Sequence, residues 1–221
     1  PDHTGRALRR VFRSGFLSKV RRTSVASHYG LKTLLYGTLL PGPDIAAKGA
    51  AVMRAAMEAG HEVGVHCYDH VKWQDFVPQR DEDWTRREME QAHEAFERVF
   101  GRPAKVHGAA GWQVNRHALA LEEAMGFDYA SDTRGRSAFY PVLQGVRSRC
   151  PQIPTTLPTL DELIGRDGMT EHNVHGHVFA ESHYVLPQGH VYTLHAELEG
   201  LRLLPVMEKL LVMWRRSQAQ I

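Results

Sequence analysis

Three times along this chain a helix-length amphipathic run is closed by glycine and followed within a few residues by a short apolar segment. That repeat leaves few folds open. Asp44 is placed to cap a helix through Ala59 that Gly60 ends, and Val63 and Val65 then alternate with polar neighbours as a short strand. From Glu82 to Phe100 a second helix is predicted, with Trp84, Met89, Ala92, Phe96, Val99 and Phe100 on its apolar side. It stops at Gly101-Arg102-Pro103, ahead of a strand from Lys105 to Gly108. A third, Asn115 to Met125, closes at Gly126 and runs into a strand from Phe127 to Ala130. Such alternation predicts α/β architecture with a parallel sheet, closed or nearly closed into a barrel. Ala26 to Leu40 reads as a short helix and apolar turn closed by Pro41-Gly42-Pro43, and later strands are expected near Gln152 to Ile153 and His190 to His195.

With 221 residues, 43% of them hydrophobic, the chain is long enough for one sizeable core, and a single domain over residues 1–221 is expected. Two cysteines, Cys67 and Cys150, are too few for a disulfide framework, and no apolar run reaches the roughly 18 residues of a membrane span. A reducing, cytoplasmic setting is the default. The formal charge of +2 hides an asymmetry, because residues 1–32 hold eight basic side chains and only one acid, Asp2. On a helical projection Leu8, Val11, Phe12 and Phe16 share one face, with Arg6, Arg9, Arg10, Arg13 and Arg21 mostly on another. Such a segment suits an anionic membrane surface, and it equally suits a helix packed on the core with its basic face in solvent. Nothing pairs it with a nucleic-acid reader motif or stacking aromatics, so no nucleic-acid partner is expected.

In α/β folds the chemistry collects at the carboxyl ends of strands. The stretch HEVGVHCYDH, residues 61–70, puts His66 and His70 four apart just where its strand ends. Two neutral imidazoles aimed at one spot there would bind a divalent ion at about 2.0 to 2.1 Å. The plainer reading is a histidine ending a buried strand and a second one in solvent, and a third ligand would decide between them. The other strand ends lead to Gly108-Ala109-Ala110-Gly111-Trp112, to Ser131-Asp132-Thr133-Arg134-Gly135, to Pro154 to Asp161, and to His195-Ala196-Glu197. His172, His175, His177, His183 and His190 are read as a solvated helix and loop rather than a metal site. Cys67 is read as a small buried side chain, since no separate base accompanies it as a nucleophile.

Five segments in order carry a resemblance: HEVGVHCYDH (61–70), AAGW (109–112), SDTRG (131–135), QIPTTLPTLDELIGRD (152–167) and VYTLHAELEG (191–200). Together they resemble the NodB-like polysaccharide deacetylase superfamily of carbohydrate esterases. The resemblance implies a distorted (β/α) barrel and an amide hydrolase. It makes His66 and His70 ligands of a divalent metal (zinc, manganese, cobalt or nickel) and His195 the general acid. Ala110, Gly111 and Trp112 would line the sugar pocket, and Asp132 and Arg134 fall in the motif that orients catalytic groups beside the substrate. The implied substrate is the formamide of an undecaprenyl-phosphate-linked 4-deoxy-4-formamido-L-arabinose. Its hydrolysis would leave a free 4-amino group and formate, at the cytoplasmic face of a bacterial inner membrane.

Two departures qualify this. The superfamily's first motif, an aspartate pair that supplies the general base and a third ligand, has no match before His66, where Asp2 and Asp44 are the only aspartates. The barrel is therefore expected to lack its first strand and helix here, and the chain alone to lack the base. Gln113 also follows Trp112 where many relatives place an arginine, a role open to Arg116 or Arg134. Alternative readings are a deacetylase of another N-acylated sugar and a catalytically silent module that binds a lipid-linked sugar.

Overall fold

The structure, a computed structural model, describes residues 42–217. The basic head and the helix expected over Ala26 to Leu40 lie outside the described residues. Those described form two compact units that part between Pro154 and Thr155.

In the first unit the expected helices are present. Helix α1 (Ile45–Glu58) starts where the Asp44 carboxylate accepts the Ala47 N–H, and Gly60 takes φ 90° just beyond its end. A short helix that the sequence reading did not foresee, α2 (His70–Phe76), begins at the second histidine of the pair and is capped by Asp69. Helix α3 (Glu82–Phe100) has Asp81 as its cap, Glu82 and Asp83 in its first turn, Arg98 in its last, and Gly101 at φ 68° as its stop. Each of those charges opposes the end of the helix dipole it sits on. Helix α4 (Arg116–Ala124) is capped by Asn115, whose side-chain oxygen accepts the His117 and Ala118 N–H groups. The other end of that amide donates to Val77 O at 2.8 Å and Thr85 Oγ1 at 2.9 Å, so one buried asparagine ties three elements together.

The strands are short. Strand β1 (Val106–His107) pairs in parallel with β2 (Tyr129–Ala130). Parallel bridges extend the row on both sides, from Val65 to His107 and from Ala130 to Gln152. Val65, β1, β2 and Gln152 thus lie side by side in parallel, the α/β arrangement that the glycine-closed helices predict. The row at Val65 is close. A Cβ on Gly64 would lie 2.7 Å from the Val106 carbonyl oxygen, so only glycine lets the two backbones approach. Trp73, Val77, Met89, Ala92, Phe96, Ala118 and Leu121 fill the core beneath. A hairpin of β3 (Val142–Leu143) and β4 (Val146–Arg147) follows β2.

The second unit is helical. It holds α5 (Leu160–Leu163), α6 (Val174–Glu181), α7 (Ala196–Glu199) and α8 (Leu204–Arg216). Leu157, Leu160, Val174, Val178, Leu203, Val206 and Leu210 form its core, and Trp214 Nε1 donates to Ser182 Oγ at 2.8 Å to fasten α8 to the end of α6. Between His190 and His195 no strand forms. Val191 O instead accepts from the Thr156 and Leu157 N–H groups, and His195 becomes the cap of α7.

Two glycine substitutions should move stability in opposite directions. Gly64→Ala forces its Cβ against backbone and is expected to cost about 1 to 3 kcal/mol. Gly176→Ala, inside α6 with nothing within 4 Å of the added atom, should gain about 0.5 to 1 kcal/mol. Urea unfolding of the three proteins under one condition measures both.

Candidate active site

The site is built from the end of the Val65 segment outward. Val65 N–H donates to Val106 O at 2.8 Å and its carbonyl accepts the Gly108 N–H at 2.9 Å, which carries the chain to His66 in register with β1. Cys67 then takes φ 58°, a left-handed turn that redirects the backbone so that Asp69 can cap α2 with His70 as its first residue. The two imidazole rings end 5.1 Å apart at 60°, and both residues are exposed. His66 Nδ1 lies 2.7 Å from the Gly108 carbonyl oxygen. A carbonyl only accepts, so the proton sits on Nδ1 and Nε2 keeps its lone pair. This is the tautomer a metal needs at Nε2, and a backbone acceptor behind a ligating histidine is the usual device for holding it. His66 Nε2 is therefore free of a proton as a divalent ion would need, with the His70 ring 5.1 Å away.

The loop that supplies the Gly108 carbonyl also carries Ala109, Ala110, Gly111 and Trp112. Gly111 (φ 61°) and Trp112 (φ 53°) are both left-handed, and a Cβ on Gly111 would strike the Gln74 side chain at 2.6 Å. The guanidinium of Arg134 stacks over the Trp112 ring at 4.6 Å. Ala110 is buried, Gly111 and Trp112 are half-buried and Arg134 is exposed. Trp112 and Arg134, from two separate motifs, thus meet as one surface.

Asp132 lies underneath. It has no exposure, and its carboxylate accepts the Ala109 N–H at 2.7 Å and the Gln152 amide at 3.1 Å, with His107 Nδ1 at 3.0 Å. Glu122, equally buried, stands 3.1 Å from the same nitrogen of His107. The sequence places Asp132 beside the substrate and does not mark His107, Glu122 or Gln152 as site residues. A charged residue between the buried Leu121 and the rest of α4, and a histidine in the apolar β1, were the signals available.

Burial alone would pull the His107 imidazolium pKa down, but the Asp132 charge and hydrogen bonds from Asp132, Cys67 and Glu122 hold it well above its usual value. Burial works the other way on Asp132 and is overridden by the His107 charge and by hydrogen bonds from Glu122, His107 and Gln152, which keep it ionised. Glu122 is pushed well up, first by burial and then by the Asp132 charge. The trio therefore reads as imidazolium, carboxylate and neutral acid. Their ligand atoms all lie within 4.8 Å of one another, close enough for a metal ion. Those atoms are instead joined to each other by hydrogen bonds, and protons already balance the charge.

His195 belongs to the second unit. Its backbone N–H donates to Glu199 Oε2 at 2.9 Å, and Glu199, 2% exposed, also accepts from the Tyr192 hydroxyl. The buried Nδ1 of His195 makes no hydrogen bond and faces Asp161 Oδ1 at 3.7 Å. Asp161 was not foreseen as a partner of this histidine. Of the five histidines set aside, His175 and His177 lie on α6 and His172, His183 and His190 flank it.

Two exposed histidines meet at a strand end over an α/β frame, and one of them, His66, has its tautomer fixed by a backbone carbonyl. Solved structures share the fold. A putative polysaccharide deacetylase from Mycobacterium smegmatis matches with a TM-score of 0.59 at 20% identity, over 91% of this chain and 75% of that one. A probable polysaccharide deacetylase from Pseudomonas aeruginosa PAO1 matches at 0.60 and 16% identity, over 92% and 71%. The polysaccharide deacetylase family model matches residues 35–130. A probable 4-deoxy-4-formamido-L-arabinose-phosphoundecaprenol deformylase of Shewanella sediminis (strain HAW-EB3) is 37% identical over all 221 residues, which span 70% of its length. Its counterpart in Wigglesworthia glossinidia brevipalpis is 29% identical over 209 residues, again across 70% of that protein. The chain belongs to the polysaccharide deacetylase family, with the NodB-like α/β fold that the five motifs implied.

The buried trio makes a testable demand on pH. His107 has a raised pKa, so the stability it contributes is fully present below the ordinary histidine value and is lost as pH rises through the raised one. Asp132 has a lowered pKa, so its share is present above the ordinary aspartate value and is lost as pH falls through the lowered one. Chemical denaturation across pH should therefore show stability declining on the alkaline side of neutrality, and His107→Gln should flatten that decline. Asp132→Ala, which strands a buried imidazolium, is expected to cost about 3 to 5 kcal/mol.

Proposed function

We propose that this protein hydrolyses the formamide of undecaprenyl-phosphate-linked 4-deoxy-4-formamido-L-arabinose, giving the 4-amino sugar and formate. The observation that carries the reading is the His66–His70 pair, with the His66 tautomer fixed by the Gly108 carbonyl, on a chain alike over its whole length to a protein named as such a deformylase. His66 and His70 would hold a divalent metal, which supplies a Lewis acid for the formyl carbonyl and an activated water. Trp112 and Arg134 offer the sugar an aromatic face and a cation beside it. Asp132 acts from below, fixing the loop that carries them.

His195 is proposed as the acid that protonates the departing amine. Supporting this is its own setting: a buried Nδ1 facing Asp161 favours a proton there and leaves Nε2 to exchange one with substrate. A product of this kind belongs to lipid A modification and to polymyxin resistance, and a lipid-linked substrate calls for a peripheral protein at the cytoplasmic face of the inner membrane. No helix among the described residues is long and apolar enough to cross one.

The assay, run on this chain extended to carry the aspartate pair that the resemblance implies, follows formate and acetate release from the lipid-linked formamido sugar and from its N-acetyl analogue. Formate release is expected to exceed acetate release. His66→Ala and His70→Ala should each lower metal content and rate together, by more than the roughly 10- to 100-fold that loss of a group behind a ligand costs. His195→Ala should lower the rate at unchanged metal content. Preferential acetate release would give the deacetylase reading. Binding of the sugar with neither acid released would give the silent module.

A further inference from the structure

We propose that the β3–β4 hairpin and the two aromatic residues leading into it are a docking surface for an anionic lipid bilayer. The proposal rests on the lipid-linked substrate proposed above and names the part of this chain that meets the lipid.

Four observations converge on it. Phe139, Tyr140 and Val142 are 40%, 58% and 66% exposed, an unusual cluster of large apolar side chains within four residues. Pro141 between them is buried and anchors the run. Gln144 and Gly145 both have positive φ, 50° and 82°, the pair of left-handed residues that makes a tight two-residue hairpin turn and projects a defined tip. Val142 stands directly opposite Arg147, so an apolar side chain and a cation share the exposed face of the hairpin.

Charge points the same way. From residue 133 to residue 160 the chain contains Arg134, Arg136, Arg147 and Arg149 and no aspartate or glutamate. Arg149 is matched by Glu123 at 2.7 Å, and the segment as a whole is cationic. Arginine with aromatic and aliphatic neighbours is the composition that an anionic headgroup layer over acyl chains attracts. A protein partner fits less well. Stable protein interfaces cover about 800 Å² on each side, more than strands of two residues offer, whereas a bilayer needs no matching pocket. The segment is also continuous with the candidate site. Six residues after Arg134, stacked on Trp112, the chain reaches Tyr140, so lipid contact would set the sugar-facing surface at the membrane.

Vesicle sedimentation of this 221-residue chain tests it, using phosphatidylcholine with and without phosphatidylglycerol. Two hairpin variants, Tyr140→Ser/Val142→Ser and Arg147→Gln, are compared with a head variant in which Arg9, Arg10, Arg13, Arg21 and Arg22 become Gln. Circular dichroism confirms that each is folded. The parent should sediment with the anionic vesicles only, and less so at high salt. Arg147→Gln is expected to lower partition about fivefold, and the double apolar change further. Hairpin variants that bind like the parent overturn the proposal, and if the head variant alone loses binding the membrane contact belongs to the head. A parent that stays in the supernatant with every vesicle overturns it too. In that case formate release from a water-soluble formamido sugar, by the chain extended to carry the aspartate pair, still decides the deformylase reading.

Discussion

A carboxylate shut away from water has to find its donors inside the protein, and Asp132 finds them in Ala109, His107 and Gln152. The bond to Ala109 is the one that reaches the surface. The next carbonyl back along that loop, Gly108, accepts the hydrogen bond from His66 Nδ1–H, and three residues forward stands Trp112 under Arg134. The ring tautomer of His66 and the position of the Trp112–Arg134 pair both follow from where that loop is held. A neutral asparagine could keep part of the geometry, but it would leave the His107 imidazolium without the charge that sustains it.

Much of the first unit could be read from the sequence because its signals are local. Helix caps at Asp44, Asp81 and Asn115 and glycine stops at Gly60, Gly101 and Gly126 act within a few residues, and the structure uses each of them. The strands were legible as positions more than as elements. Val65 takes part through one isolated bridge and Gln152 through two, because these segments pair for one or two residues before turning into loops. Helix α2 is harder to read because it is only seven residues long and its cap, Asp69, lies inside the histidine motif.

The site divides along the same line. His66 and His70 stand out by their spacing, and their rings lie 5.1 Å apart. The trio beneath does not, since His107, Glu122 and Asp132 are brought together by the parallel register of β1 and β2 and by the packing of α4, none of which is written in any short window. Asp161 was hidden for another reason. Its place near His195 depends on 155–161 and 190–195 being tied side by side, through Thr155–Thr193 and Thr156–Val191 contacts, rather than on a strand there.

Cys67 sits between the two exposed histidines, yet its thiol faces inward, accepting the Ala110 N–H at 3.3 Å. Burial raises its pKa first of all, against the opposing pull of His107. A thiol of that kind reacts slowly with alkylating reagents because the thiolate scarcely forms and the sulfur is covered. Its labelling rate is thus a clock for the loop above it: each alkylation event records a moment when Ala110 has lifted away, and with it the platform on which the histidines are set.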